Sequence, residues 1–509
     1  MTAEVSDNGS GNAVTTAQPT APAVFSDSEL LAKLSSYDEI AAAGNTELRT
    51  PQTVQYLSAS AKPYDPFLSG TYKQTAAVAY IYNEGAIRTV SLDPAAPVDL
   101  GTAVLPERNN GTLLGFTAID GAIYSVTQTD ANTAKAQVYV DMFDSACAFT
   151  ETYSLPGTYA GMGMLGGKPV IVTHAAVNGT DVPHSTAAEA PAAESVVKLN
   201  GAEYAGFTVI GEVGGSGLLD ILGGCASYAK FDEKGLTVLA EDGSSTFAVD
   251  ITETFEAENA RRFTGAAFSA DCLNGDSFIG AGSAGVVAVK GKNAAGTGIE
   301  GEKPYAVAWQ GENTACVLAS RTDGAVILYG FDMSGETPAA AQITDKTVYS
   351  DKLTVIGDNL YGLKAEASAD GERVGLRLSR YAYGTELSEK AYAVIEIDKN
   401  SPRENLKYLA SPAENDPSFI SANEDGSIIA VPTVYFDGFS EVERIVTFSN
   451  GNALTETGEL LLYDEKSPYI CTAVRQDTLL VITDSKVITA NATDCSDVSV
   501  LSSVAALAE

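Results

Sequence analysis

Residues 117–127 read TAIDGAIYSVT. Asp120-Gly121 separates two short runs of apolar and β-branched residues. A two-residue hairpin loop needs positive φ at both central positions, which Gly accepts freely and Asp tolerates. QVYVDMF at 137–143 supplies a third strand after a further loop. The same order of strand, turn, strand, loop and strand recurs at FDEKGLTVL (231–239) with TFAVD (246–250), and at TVIGDNLYGLK (354–364) with VGLRLSRY (374–381). It appears again at SANEDGSIIAV (421–431) with VERIVTF (442–448).

Six Asp-Gly and five Asn-Gly dipeptides punctuate the chain between Asn110 and Asn450. Equivalent points of the repeating unit fall near 113, 159, 221, 266, 304, 347, 417 and 468. That spacing, roughly fifty residues, is the range of four-stranded propeller blades with loop insertions. A blade cannot bury both faces alone, so sheets stack around an axis and the apolar strands become a shared core. The expected fold is all-β: a single β-propeller of four-stranded blades, eight in number with seven also compatible, preceded by a short N-terminal helix. A partial unit at 76–92 is expected to complete the last blade and close the ring. Residues 178–196 (NGTDVPHSTAAEAPAAESV) interrupt one unit and read as an exposed, mobile surface loop.

Ahead of the repeats, residues 1–25 are rich in Thr, Ala, Pro, Asn, Ser and Gly, a composition that suits a flexible linker. Residues 26–75 divide into a helix at 28–43, with Leu30, Leu34, Tyr37 and Ala41 on one face, and an extended connection. The propeller is expected over 76–509. No run of eighteen apolar residues occurs, so a membrane contact is expected only through an anchor upstream of this chain.

Hydrophobic residues make up 45% of the chain and charged residues 19%, which suits a large buried core. The 31 basic and 66 acidic residues leave a net charge of −35. Phosphate backbones and anionic lipid would be repelled by such a surface, so nucleic acid is not an expected partner. The acidity is read as a means of solubility. Six cysteines at 147, 225, 272, 316, 471 and 495 include no Cys-x-x-Cys pair, and only His174 and His184 could join them. Zinc needs closely spaced ligands, so no metal site is expected. Buried thiols and one or two disulfides both remain open readings, because an even count does not decide pairing.

Gly280, Gly282 and Gly285 have dinucleotide-loop spacing, but VVAV at 286–289 continues as a strand where a phosphate-binding helix should begin. Ser283 within AGSAG lacks the strand-to-helix turn of a nucleophile elbow. Acidic turns such as 423–427 (NEDGS) and 369–372 (ADGE) carry hairpin residues without a calcium-loop spacing, although weak calcium binding by the acidic surface is compatible with them. No catalytic residue and no cofactor is expected. Tyr435, Phe436 and Phe439 flank Asp437-Gly438 and are the candidate partner-binding residues, since large apolar groups beside a tight turn are either packed or in contact with a ligand. Trp309, in the apolar run AVAW, reads as core.

Four stretches resemble a family. GDNLYGLK (357–364) with VGLRLSRY (374–381), SIIAV (427–431) with Pro432, Tyr435 and Phe436, and TLLVITDSKVITA (478–490) with Asn491 are similar to bacterial secreted proteins with a C-terminal β-propeller distantly related to WD40 repeats. SYDEI (36–40) is similar to the helix that precedes the propeller there. The likeness is good over 350–492 and patchy over 76–349, and only Thr53, Val54 and Gln55 remain of the family's pattern between 44 and 75. The resemblance implies a propeller and an extracellular or cell-surface location, and it carries no biochemical role. The expected function is an extracytoplasmic, cell-surface-associated interaction module for a protein or glycan ligand, acting as a monomer. A carbohydrate-active hydrolase or lyase with carboxylates in an axial pocket is the alternative.

Overall fold

The computed structural model describes most of residues 23–503, apart from short loop segments and the longer stretches 43–67, 92–98, 344–352, 397–408 and 463–468. Nine antiparallel meander sheets follow one another along these residues, at 72–104, 111–156, 158–222, 225–264, 267–297, 303–343, 354–395, 409–462 and 469–503; we number them sheets 1 to 9. Each is built on four strands, as a propeller blade requires. The all-β propeller is therefore as expected. Its count differs: residues 72–104 form a complete first sheet of their own instead of completing the last one.

Local chemistry explains the hairpins. Asp120 and Gly121 take φ of 50° and 84° between strands Gly111–Ile119 and Ala122–Thr129, the conformation expected of that turn. Gly166 and Gly167 do the same between Thr158–Leu165 and Lys168–Ala176. Gly163 answers a different need. A Cβ there would stand 2.3 Å from the Phe231 ring, so the first strands of sheets 3 and 4 can approach only because this side chain is absent.

Shared apolar layers join the sheets. Tyr80, Ile87 and Ala103 of sheet 1 pack with Phe116, Ile123 and Phe143 of sheet 2. Val140 and Leu155 of sheet 2 pack with Ile171 and Val209 of sheet 3, whose other face carries Val170, Val172 and Ile210 against Val238 and Val249 of sheet 4. Further layers connect sheets 4, 5 and 6, sheets 7 and 8, and sheets 8 and 9. Ile81 and Val90 of sheet 1 meet Leu480, Ile482 and Val487 of sheet 9, so the last sheet returns to the first. Fully burying each such aliphatic side chain stabilises by about 1.5–3 kcal/mol.

The N-terminal region departs from expectation. Among the described residues its helix is Asp38–Ala42, while Leu31–Lys33 is a strand. That strand pairs antiparallel with Val197–Leu199, which itself lies parallel to Leu218–Leu222 at the outer side of sheet 3. Ala23–Ser26 likewise adds to Ala257–Thr264 at the outer side of sheet 4. Leu34 and Ile40 are buried and Tyr37 is exposed, so tertiary packing selects a different face from the helical stripe. The insertion is also more than an idle loop. Ala193 is buried, Val182 and Val196 are buried in the layer between sheets 2 and 3, and Val196 accepts a hydrogen bond from the Leu34 backbone N–H.

Candidate functional site

Tyr435 lies in strand Ile428–Phe436 of sheet 8, half-buried against the apolar layer shared with sheet 7. The Arg444 guanidinium carbon stands 5.3 Å from the centre of its ring. Phe436 ends the strand with its backbone in register with Glu441, and Phe439 lies outside the described residues. Trp309 packs against the core of sheets 4 to 6. Gly282 pairs with Gly285 at the near end of an antiparallel strand pair, and 286–289 continues as a strand as its residues indicate. Asp425 accepts from the Ser427 backbone N–H at 2.9 Å, and this bond with that from the Ser427 side chain holds its carboxyl below the usual range. Hairpin geometry thus employs the acid of NEDGS.

The arginines are organised in a way that sequence patterns did not expose. Arg108 donates to both carboxylate oxygens of buried Asp141, which also accepts from Thr152 at 2.7 Å, and it stacks 4.4 Å from the Tyr139 ring centre. Arg261 bonds Asp250, which accepts from Thr237, and stacks on Phe278 of the next sheet. Arg377 pairs with Glu389 at 2.7 Å beneath Tyr392, and Arg444 with Glu459 and Thr433 beside Tyr435. Each cation is matched by an acid and covered by an aromatic ring, so these charges fasten strands together. The spacing between the partners varies from sheet to sheet, which is why no linear motif announces them.

Two ionisable groups in sheet 3 behave differently. Asp220 is buried, and neither carboxylate oxygen meets a donor among the described residues. Burial pushes its pKa well above the usual carboxylate range, so the acid favours its neutral form. Burial depresses His174 to about 4, and its Nε2 has no hydrogen-bond partner among the described residues. They do not form a catalytic pair. His174 stands opposite Thr208, whereas Asp220 stands opposite Val209, and successive residues of one strand point to opposite faces. No cluster of three or more His, Cys, Asp or Glu suited to a metal ion occurs among the described residues.

The outer strands of sheets 9, 1 and 2 present apolar side chains to water. Val104, 70% exposed, and Leu100 lie in Asp99–Val104; Phe149, 52% exposed, opens Phe149–Pro156; Val498 and Val500 lie before and within Ser499–Ser503. The joints between these sheets are those already described, and a Cβ on Gly101 would sit 3.1 Å from Cys147 Sγ of sheet 2. Register shifts leave Leu100, Thr150 and Leu501 without a cross-strand partner in these outer strands. Such bulges twist an edge and discourage strand-on-strand addition, so this surface offers side chains rather than a backbone ladder. Exposed Glu107, Glu151 and Asp497 accompany the apolar groups.

No protein-family model matches the chain, and no curated protein matches it. Among solved structures it is similar to a candidate 6-phosphogluconolactonase from Bacteroides uniformis, at 12% identity over 78% of this chain and 98% of that one, with a TM-score of 0.31. It is also similar to AztD from Citrobacter koseri, at 8% identity over 84% and 94% of the two chains and a TM-score of 0.35. A post-proline cleaving enzyme from Rickettsia typhi gives 8% identity over 82% of this chain and 61% of that one, with a TM-score of 0.33. These neighbours are of β-propeller type. Likenesses with TM-scores below 0.5 say nothing about substrate or partner.

Proposed function

We propose that this chain is an extracytoplasmic interaction propeller that binds a protein or glycan partner on the outer surface of sheets 9, 1 and 2. The observation that carries the reading is the set of exposed apolar side chains on three successive outer strands: Val498 and Val500, Leu100 and Val104, and Phe149. Large apolar groups exposed on the outer strands of adjoining sheets are a mark of contact with something else. Acidic neighbours and a net charge of −35 favour a partner whose contact face combines apolar and basic groups. The extracytoplasmic placement draws support from the resemblance to secreted bacterial propeller proteins and from the linker-like composition of residues 1–25.

The test measures binding of the full chain to arrayed surface glycans and to basic proteins, together with fractionation of cells that express it. Replacing Val104 and Phe149 by Asp is expected to weaken binding about tenfold or more, the loss typical of a contact centre. Unchanged affinity would remove this surface from consideration, and recovery of the native protein only from the cytosol would overturn the placement.

A further inference from the structure

We propose that the cleft at the outer side of sheet 3, filled in this chain by residues 30–42 with Leu30 and Leu31 against the layer shared with sheet 4 and Leu34 and Ile40 in the layer shared with sheet 2, is a segment-recognition site that also accepts the same residues of a second copy of the protein. The site has a backbone edge, an apolar pocket and a charged contact. Leu31–Lys33 adds antiparallel to Val197–Leu199, and the ladder is extended by Leu34 N–H to Val196 O at 3.1 Å and Asn200 N–H to Leu30 O at 2.9 Å. Leu34 and Ile40 enter the apolar layer that contains Val126 and Val140 of sheet 2 and Phe207 and Leu222 of sheet 3. Lys198 meets Glu39 at 3.3 Å, and the Tyr37 hydroxyl donates to Pro191 O at 3.0 Å. A strand edge combined with side-chain pockets is a recurring way to recognise an extended segment.

What joins this segment to the propeller leaves its choice of copy open. Residues 43–67 separate the helix Asp38–Ala42 from Leu68, which packs against the same apolar layer ahead of the first strand of sheet 1. About twenty-five residues can span on the order of 80 Å when extended, whereas packed sheets stand about 10 Å apart. The connection is thus far longer than a return to the same layer demands, and it can reach a neighbouring molecule. Which copy fills the cleft is decided by concentration, since a tethered segment competes at an effective concentration of around millimolar. The net charge of −35 repels a second copy at low ionic strength, and salt screens that repulsion. Dilute protein at low salt keeps the segment in its own cleft; crowded protein at high salt exchanges it, giving a reciprocal dimer.

Ala32 and Lys198 are partners in register, which makes the exchange readable. Full-length Ala32→Cys and Lys198→Cys chains are mixed at high protein and salt concentration, oxidised, and the linked peptides identified by mass spectrometry. A disulfide between position 32 of one chain and 198 of the other is expected in the mixture, fading at low salt and lost when the Ala32→Cys chain also carries Leu34→Asp. The doubly substituted single chain serves as the reference and should close on itself. Closure of that chain without any link in the mixture would confine the segment to its own copy. A link that survives Leu34→Asp would reduce it to random collision, and failure of the double variant to close would remove the docking itself; each outcome overturns the proposal.

Discussion

Arg108 and Asp141 meet through two hydrogen bonds of 2.5 Å each, from both terminal guanidinium nitrogens to both carboxylate oxygens. The side chain of Asp141 is fully buried and that of Arg108 is 13% exposed, so the pair ties the connection between sheets 1 and 2 onto the third strand of sheet 2. Burying two charges costs desolvation that their attraction only partly offsets, and the cost becomes severe when one partner is removed.

Asp141→Leu is accordingly expected to destabilise the chain by about 3–5 kcal/mol, because it strands the Arg108 cation. Arg108→Met combined with Asp141→Leu should cost clearly less than the two single changes together. Urea unfolding of the three variants checks this. Additive losses would mean that the residues do not act as a pair.

His174 and Asp220 pull stability in opposite directions as pH changes. His174 has a folded pKa of about 4 against an ordinary 6.5, so its contribution is present above pH 6.5 and is lost as pH falls toward 4, by about 3 kcal/mol in all. Asp220 has a folded pKa raised above its ordinary 3.8, so its contribution is fully present below 3.8 and is lost as pH rises through the folded value. Above pH 4, and up to the lower of 6.5 and the folded value of Asp220, the two slopes oppose each other. His174→Leu should therefore make stability fall more steeply with rising pH across that window, and Asp220→Asn should make it rise more steeply. Denaturant midpoints at half-unit pH steps provide the check, and parallel curves for both variants would contradict the burial of these groups.

Ile81 and Ile482 meet where the last sheet returns to the first. Ile482→Ala should cost about 2–5 kcal/mol through lost burial and an unfilled space. Adding Ile81→Ala should then cost less than it does alone, because the contact has already gone. Strict additivity in urea unfolding would place sheets 9 and 1 apart.

Short-range chemistry was legible throughout. Asp120-Gly121 announced its turn because positive φ is a property of those two residues, and the core role of Trp309 followed from its apolar neighbours. The strand after Gly285 is visible in its own residues, VVAV, which is why the Gly280, Gly282, Gly285 spacing does not open a phosphate-binding helix. Several sheet starts were legible too: the points near 159, 266, 304 and 468 fall beside Thr158, Ala267, Lys303 and Tyr469.

Tertiary structure decided the rest. The pattern at 76–92 shows only part of a blade, and the pairing of Tyr72–Gln74 and Asp99–Val104 on its two sides makes it a complete unit packed between sheets 9 and 2. The helical stripe at Leu30, Leu34, Tyr37 and Ala41 yielded to a strand because Val197–Leu199 offered an open edge from more than a hundred residues away. Exposure of Val104 and Phe149 was equally hidden: an alternating strand shows two faces, but not which face a neighbour covers. By itself the chain determined its strands, its turns and its acidic charge, all of which depend on residues close in sequence. Blade number, the docked N-terminal segment and the apolar outer surface depend on contacts between distant residues, and those exist only once the ring has closed.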